Sequence, residues 1–225
     1  MIFDLLRNGF SIDVMINLLA RVFVVFCTLP IHEYAHALVA TKLGDDTARL
    51  KGRLTLAPLA HIDIMGAVMI FLVGFGYAKP VPVNPRKFKN PRAGMALTAL
   101  AGPLSNLLMA LFFMILANAG SLILASSASI VAQVSVIFFS VAAQINVSLA
   151  VFNLIPIPPL DGSRIANLFI PQKYYFKIMQ YERYIILGVF ALIIFGILDK
   201  PLSLITGVVM TGINFIARLP FLPFI

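Results

Sequence analysis

The chain has 225 residues, of which 60% are hydrophobic and only 12% are charged. A soluble domain carries about twice this charged fraction, so the composition excludes a soluble enzyme and predicts one integral membrane domain over residues 1–225. The net charge of +8 does not indicate a nucleic-acid partner. The basic residues lie between hydrophobic runs, as in loops held on the cytoplasmic side of a membrane.

The first hydrophobic run extends from about Val14 to Leu43. Residues 1–12 before it are expected to form a short interfacial segment. We expect no cleavable signal peptide, because the run that would supply its apolar part contains the polar residues described below. Pro30 removes a backbone hydrogen bond, so it is predicted to kink the helix or to restart it there.

A His-Glu-Tyr-Ala-His sequence occupies residues 32–36, within this run. On a helix His32 and His36 lie one turn apart on one face, which suits two ligands of a tetrahedral Zn²⁺. Glu33 is rotated by roughly 100° from His32, so its carboxylate lies beside a bound metal and can take a proton from water. Such short patterns also recur by chance, but polar residues this costly to insert into hydrocarbon favour a functional site.

Residues 48–56 alternate polar and apolar side chains around Gly52. A period of two is typical of strands and predicts a short β-hairpin on the basic side of the membrane. The edge of such a hairpin could hold an extended substrate by strand addition. The alternative is an amphipathic connector without that role.

The next apolar run, from Ile64 to Ala78, is shorter than the roughly 20 residues that a spanning helix needs. Basic residues flank it on both sides, so it is predicted to enter and leave on the same side as a re-entrant segment. A strongly tilted span is the alternative. Residues 79–92 are rich in proline and are expected to form a semi-rigid loop at the membrane surface.

Two full spans follow, at about 93–118 and 130–154, joined by a loop without Lys or Arg. A last pair of apolar runs forms a C-terminal helix pair at about 184–218, after a core at about 14–171. The expected fold is therefore an all-α polytopic membrane protein with about five to six hydrophobic helical segments.

A catalytic zinc site usually has a third protein ligand, and Asp161 is the candidate that the sequence favours. It follows a run of three prolines within four positions, which cannot continue a helix, and Gly162 lets the backbone pass close to a neighbour. An unwound segment at the end of a membrane helix can carry a ligand to a buried site. Alternatively, Asp161 caps a helix that begins at Ser163.

Other candidate ligands have less favourable positions. On a continuous helix Cys27 points about 140° away from His32, and it is expected to be a small core residue. The remaining acidic candidates follow a helix end or lie beside basic residues, and we expect them to be solvated charges: Asp45, Asp46, Glu182 and Asp199.

Two sequence motifs of this chain, and their order along it, resemble those of the site-2 protease family of intramembrane zinc metalloproteases. They are the His-Glu-Tyr-Ala-His sequence at 32–36 and the Asn-Leu-Ile-Pro-Ile-Pro-Pro-Leu-Asp-Gly sequence at 153–162. The Gly-Pro-Leu-Ser-Asn sequence at 102–106 also resembles that family's motif in the intervening span. The matching stretch covers about residues 32–164. One departure is Ala57, where a polar residue such as Asn would be expected.

The resemblance implies a set of functional residues. His32, His36 and Asp161 would bind one Zn²⁺ per chain, and Glu33 would be the catalytic acid and base. The sequence contains no recognisable PDZ or nucleotide-binding domain, so the resemblance implies a minimal member of the family.

Three further polar residues are candidates for supporting the site or binding substrate. Asn106 lies in mid-span and could orient a ligand, bind substrate backbone or join helices. Asn153 precedes the unwound segment and could hold a substrate strand or bond to freed carbonyls. His61 could donate a hydrogen bond to the reacting oxygen or contact the metal site, or it could be a surface histidine.

The function that these inferences imply is hydrolysis of a peptide bond within or near the transmembrane segment of another membrane protein. The alternatives are a zinc-binding membrane protein that does not hydrolyse and a scaffold that binds transmembrane helices. The basic loops place the expected active site nearer the cytoplasmic side of a bacterial or archaeal cell membrane. The expected partners are the substrate's transmembrane segment and the lipid bilayer.

Overall fold

A computed structural model describes residues 12–63, 79–126 and 129–224. Within these ranges the chain is mostly helical and contains no β-sheet, so the predicted all-α class is confirmed. Helical stretches that are long and apolar enough to cross a membrane number four among the described residues: Val14–Lys42, Pro91–Ala125, Ile130–Asn153 and Asp199–Pro223. The predicted count of about five to six segments is not supported. The re-entrant segment predicted at 64–78 lies outside the described residues.

The first membrane stretch consists of helix α1 (Ile12–Phe23), a π-helical turn (Val24–Thr28) and helix α2 (Leu29–Lys42). Pro30 lies in the first turn of α2, where its missing N–H is tolerated. The irregular turn lies immediately before the proline, where a regular helix would bring the ring against the carbonyl four residues earlier. The sequence prediction that the helix restarts near Pro30 agrees with this arrangement.

The β-hairpin predicted at residues 48–56 is wrong. The chain instead forms a short helix α3 (Thr47–Leu50) and, after a non-helical stretch, a second one, α4 (Pro58–His61). Gly52 has a φ of 66°. Its N–H donates to the Arg49 carbonyl at 3.0 Å, and the Arg53 N–H donates to the Ala48 carbonyl at 2.8 Å. These two bonds end a helical turn in the Schellman arrangement, so the glycine stops a helix rather than joining two strands.

Residues 79–90 pack against the end of α2 and against α4. The Lys79 N–H donates to the His61 carbonyl at 2.8 Å, and a 3₁₀ turn (Pro85–Lys87) precedes the next helix. Val81 is buried in a small apolar cluster with Ala37 of α2 and Ala48 of α3. The loop is therefore held against the helix that carries the His-Glu-Tyr-Ala-His sequence.

Asp45 fastens the same loop to the end of α2. Its side chain is fully buried. It accepts a hydrogen bond from the Asn84 N–H at 2.6 Å and from the Thr47 N–H at 3.0 Å, and Lys87 Nζ lies 3.7 Å from it. The expectation that Asp45 is a solvated charge is wrong, because Asn84 and Lys87 approach it from a distant part of the chain.

The centre of the bundle is built by α5 (Pro91–Ser126), α6 (Ile130–Asn153) and α10 (Asp199–Arg218). Five of the eleven buried residues in this core are alanines, and small residues let membrane helices approach closely. The buried residues are Val24 of the π-helical turn and Ala110, Phe113, Met114, Ala117, Ala142, Ala143, Val147, Val151, Ile213 and Ala217 of the three helices. Helix α5 extends eight residues beyond the predicted end of this span at 118.

Three shorter helices connect α6 to α10: α7 (Asp161–Ala166), α8 (Gln172–Gln180) and α9 (Glu182–Ile194). Residues 154–160 between α6 and α7 are not helical, as the prolines predict. Helix α9 has 13 residues, which is too short for a simple crossing of about 20 residues.

Candidate metal centre

Three side chains from α2 and α7 meet inside the bundle. His32 Nε2 lies 3.0 Å from His36 Nε2. Asp161 Oδ2 lies 3.4 Å from the first nitrogen and 3.3 Å from the second. Both histidines are buried, with exposed fractions of 4% and 7%. This is the only group of three or more His, Cys, Asp or Glu residues with metal-ligand spacing among the described residues.

The spacing of these three atoms fits a tetrahedral metal. Ligands about 2.0–2.1 Å from a central Zn²⁺ are separated by about 3.3–3.4 Å along the edges of the tetrahedron. The observed separations of 3.0, 3.3 and 3.4 Å match that set of edges closely. The fourth position of the tetrahedron is not filled by a fourth ligand-type side chain among the described residues.

The protonation of His36 also suits a metal ligand. Its Nδ1 lies 2.7 Å from the Thr98 carbonyl oxygen, which can only accept, so Nδ1 carries the proton. In the neutral ring Nε2 then has a free lone pair directed towards His32 and Asp161. Two imidazole nitrogens and a carboxylate oxygen converge at 3.0–3.4 Å, and these are the nitrogen and oxygen donors that Zn²⁺ binds. The donor set therefore fits a divalent metal ion.

The backbone of α5 forms one wall of the site. A Cβ atom added to Gly102 would clash with Nε2 and Cε1 of His36 and with Cε1 of His32. Thr98, one turn earlier on the same face, supplies the carbonyl that holds His36. Sequence reasoning did not identify Thr98, although its four-residue spacing from the glycine of the Gly-Pro-Leu-Ser-Asn motif was visible.

Asp161 is brought to the histidines by the unwound segment after α6. Helix α7 begins at Asp161 itself, and no side chain caps it. The alternative that Asp161 caps a helix starting at Ser163 is therefore wrong. A Cβ atom at Gly162 would clash with the carbonyl groups of Leu154 and Ile155. The glycine thus lets the start of α7 lie directly against the end of α6.

Glu33 follows His32 on α2 and is 8% exposed. It is not part of the three-residue group. The helix rotation of roughly 100° per residue sets its carboxylate to one side of the His32 ring. A proton acceptor next to a metal requires a carboxylate beside the ligand group, and this role of Glu33 stays a prediction.

The three supporting candidates lie in different surroundings. Asn106 is 1% exposed, and neither its Nδ2 nor its Oδ1 has a hydrogen-bond partner among the described residues. Asn153 Nδ2 donates to the Leu149 carbonyl of its own helix at 3.0 Å. His61 is fully buried, and its Nε2 donates to the Thr55 carbonyl at 2.7 Å. His61 is therefore not a surface histidine, and it is not part of the metal-type group.

Cys27 and the remaining acidic candidates lie outside the group of three. Cys27 is exposed on the π-helical turn, so the expectation of a core residue is wrong. The wider turn changes the rotation per residue, which a count of 3.6 residues per turn cannot anticipate. Asp46 pairs with Arg49 at 3.1 Å on the surface, as expected for a solvated charge.

Comparisons with known proteins agree with this site. The profile of Peptidase family M50 matches residues 116–196. A Bacillus subtilis protein named "Putative zinc metalloprotease YwhC" is 46% identical over 157 residues, which cover 68% of this chain and 70% of that protein. Proteins named "Putative zinc metalloprotease Rip2" from Mycobacterium tuberculosis and Mycolicibacterium smegmatis are 32% and 30% identical, over 60% of this chain and 51% of each relative.

No solved structure gives a significant match to the chain. The relation to the Bacillus subtilis protein covers more than two thirds of that protein. The profile match covers Asp161 and the unwound segment before it. The two histidines and the aspartate come together in a metal-type group. On these grounds the chain belongs to peptidase family M50, the site-2 protease family of metalloproteases.

Proposed function

We propose that this protein is an intramembrane zinc protease that hydrolyses a peptide bond within or near the transmembrane segment of another membrane protein. The observation that carries the proposal is the tetrahedral spacing of His32, His36 and Asp161 inside a bundle of apolar helices. A catalytic zinc site needs three protein ligands and one open position, and this group supplies three.

The depth of the site can be read from two helices independently. His36 is six residues from Lys42 at the end of α2, and Thr98 is six residues from Arg92 near the start of α5. At 1.5 Å per residue both distances are about 9 Å. The metal ligands therefore lie about 9–15 Å inside one end of the bundle, counting His32 one turn deeper.

That end of the bundle carries most of the positive charge. Basic residues around it are Lys42, Arg49, Lys51, Arg53, Lys79, Arg86, Lys87, Lys89 and Arg92. The positive-inside rule assigns such an end to the cytoplasm. We infer that water and the loosened substrate reach the site from the cytoplasmic side. A protein of this kind would act in regulated intramembrane proteolysis.

When bound, Zn²⁺ would polarise the scissile carbonyl and lower the pKa of water at the site. His32, His36 and Asp161 would hold the ion, and the Thr98 carbonyl would keep His36 in the tautomer that binds it. Glu33 would accept the proton of the attacking water and donate it to the leaving amine. The carbonyls of a substrate helix are occupied by its own hydrogen bonds, so the substrate must be extended at the cleaved bond.

The experiment that tests the proposal compares three purified proteins on a single-pass membrane reporter: wild type, Glu33→Gln and Glu182→Gln. The chain has only these two glutamates, so Glu182→Gln is a matched control for the loss of one carboxylate. Bound zinc is quantified in each. We expect zinc in all three proteins, cleavage by wild type and Glu182→Gln, and loss of cleavage in Glu33→Gln by at least about 10²-fold.

The rival functions predict other outcomes. A non-hydrolytic zinc protein or a scaffold binds zinc or the reporter but cleaves in none of the three forms, whatever reporter sequence is supplied. Cleavage that survives Glu33→Gln with zinc retained would contradict the role of Glu33. Absence of zinc from the wild type after reconstitution would overturn the metal site.

A further inference from the structure

The two candidate zinc-binding histidines differ in how their outer nitrogens are held. His36 Nδ1 donates to the Thr98 carbonyl. His32 Nδ1 is also buried, but it has no hydrogen-bond partner among the described residues. A metal-bound histidine almost always donates its other N–H to an oxygen, which fixes the ring and its tautomer. Within the described part of the chain, one of the two histidines therefore lacks this support.

A second buried group that has no partner among the described residues is Asn106, on the helix that supplies Thr98 and Gly102 to the site. Both side-chain atoms of Asn106 are buried and unpaired within the described part of the chain. Leaving a buried amide unpaired costs about 1–3 kcal/mol, so this residue is expected to have a partner in the working protein. Its side-chain oxygen is an acceptor of the kind that His32 Nδ1 lacks.

The register of α5 against α2 indicates that the Asn106 side chain lies near the His32 side chain. Thr98, Gly102 and Asn106 follow one another at four-residue intervals, so they share one face of α5. Thr98 contacts His36, and Gly102 lies against both His36 and His32 Cε1. Moving along α5 from 98 to 102 thus moves backwards along α2 from 36 towards 32. Asn106 is one further turn along α5 in that direction.

We propose that Asn106 is a positioning residue for the metal site: its side-chain oxygen accepts a hydrogen bond from His32 Nδ1, either directly or through one water molecule. In this arrangement α5 holds both histidines, one through the Thr98 backbone and the other through the Asn106 side chain. A bridging water molecule would satisfy both buried groups at once. The proposal rests on the proposed function, because it assumes that His32 is a metal ligand.

The test measures zinc affinity directly, by competition with a chelator, in wild type, Asn106→Leu and Asn106→Asp. Asn146→Leu is the matched control, since Asn146 is another fully buried asparagine of the bundle, on α6, with an unpaired Oδ1. We expect zinc affinity to fall about 10–100-fold in Asn106→Leu. The zinc affinity of Asn106→Asp, which keeps an acceptor, should be close to that of wild type. The zinc affinity of Asn146→Leu should stay within threefold of wild type.

A second readout follows the His32 ring itself. The chain has three histidines, so ¹⁵N-histidine labelling gives three resolvable rings by NMR. In zinc-loaded wild type the His32 Nδ1–H should show a hydrogen-bonded, slowly exchanging proton, which Asn106→Leu removes. The His36 Nδ1–H signal should stay, because its acceptor is the Thr98 backbone.

Each outcome decides between the two proposals. Wild-type zinc affinity and an unchanged His32 signal in Asn106→Leu would overturn the role of Asn106 and leave the metal site intact. Equal loss of affinity in Asn106→Leu and Asn146→Leu would show a general packing effect and would also overturn it. Failure of the wild type to bind zinc would overturn the proposed function instead.

Discussion

Gly102 of α5 lies directly against the imidazole of His36. A Cβ atom at this position would clash with Nε2 and Cε1 of that ring and with Cε1 of His32. A helix backbone, rather than a side chain, therefore closes one side of the metal-type site. It also fixes how closely α5 and α2 can approach.

The first prediction concerns this contact. Gly102→Ala should weaken zinc binding by at least about tenfold, because the two ring positions must shift and the ligand spacing is lost. Reporter cleavage should fall in the same proportion at limiting zinc and should recover in part when zinc is in excess. Zinc affinity by chelator competition and cleavage at several zinc concentrations are the measurements.

The control for this prediction is Gly207→Ala. Gly207 lies on α10, and a Cβ atom there would have no atom within 4 Å. The same chemical change at this position should leave zinc affinity unchanged. Wild-type zinc affinity in Gly102→Ala would show that α2 and α5 are less tightly packed around the site than the structure indicates.

The metal site itself was largely predictable from sequence, and its surroundings were not. The four-residue spacing of His32 and His36 is a local property of a helix, and the prolines before Asp161 are a local signal that the helix ends. The Thr98 carbonyl carries no side-chain signal at all. Its contact with His36 depends on how two helices pack, which hydrophobic periodicity does not specify.

Two errors have different physical origins. The alternation at residues 48–56 predicts a hairpin, but the positive φ of Gly52 also suits the end of a helix, and the sequence does not distinguish the two. Local hydrogen bonds to the Arg49 and Ala48 carbonyls accompany the helix end that forms there. Asp45 is predicted to be solvated because its partners Asn84 and Lys87 lie about 40 residues away in sequence, and a tertiary contact decides this second case.

The second prediction tests the helical turn at Gly52. Its φ of 66° is a left-handed conformation, which costs a residue with a Cβ atom about 1–2 kcal/mol. Gly52→Ala should therefore lower the unfolding temperature, and Gly52→Asn should lower it less, because Asn tolerates this conformation better. Thermal unfolding in detergent measures both. Open space surrounds the position, so equal stability of Gly52→Ala and wild type would contradict the assigned backbone conformation.

The third prediction concerns removal of the metal. A strong chelator should abolish reporter cleavage, and stoichiometric Zn²⁺ should restore it. His32, His36 and Asp161 come together only in the fold, so an ion that they hold should also stabilise the fold by about 2.7 kcal/mol at a free concentration of 100 times the Kd. Zinc should raise the unfolding temperature of Glu33→Gln equally, since Glu33 lies outside the ligand group.

Asp161→Asn is the comparison for that experiment. Replacing the carboxylate by an amide keeps the size of the side chain but weakens the ligand set, so the zinc-dependent rise in unfolding temperature should shrink or vanish. An undiminished rise in Asp161→Asn would show that the ion binds elsewhere.

The fourth prediction concerns Asp45 and pH. Burial raises the pKa of this carboxyl. Hydrogen bonds from Thr47 and from the Asn84 N–H, together with the charge of Lys87, lower the pKa by more than burial raises it, so the pKa lies below its ordinary value. A pKa lower in the folded than in the unfolded state contributes stability above the unfolded value of about 3.9. That contribution is lost as pH falls through the folded pKa.

Asp45→Asn should therefore destabilise the protein at pH 7 by about 1–3 kcal/mol, the cost of leaving buried partners unpaired. The difference from wild type should narrow as the pH is lowered from about 5 towards 3. Asp46→Asn is the matched control, since its carboxylate pairs with Arg49 on the surface and such pairs contribute little. A difference between Asp45→Asn and wild type that stays constant from pH 7 to pH 3 would show that the carboxylate's charge does not hold the loop at residues 79–90 against α2.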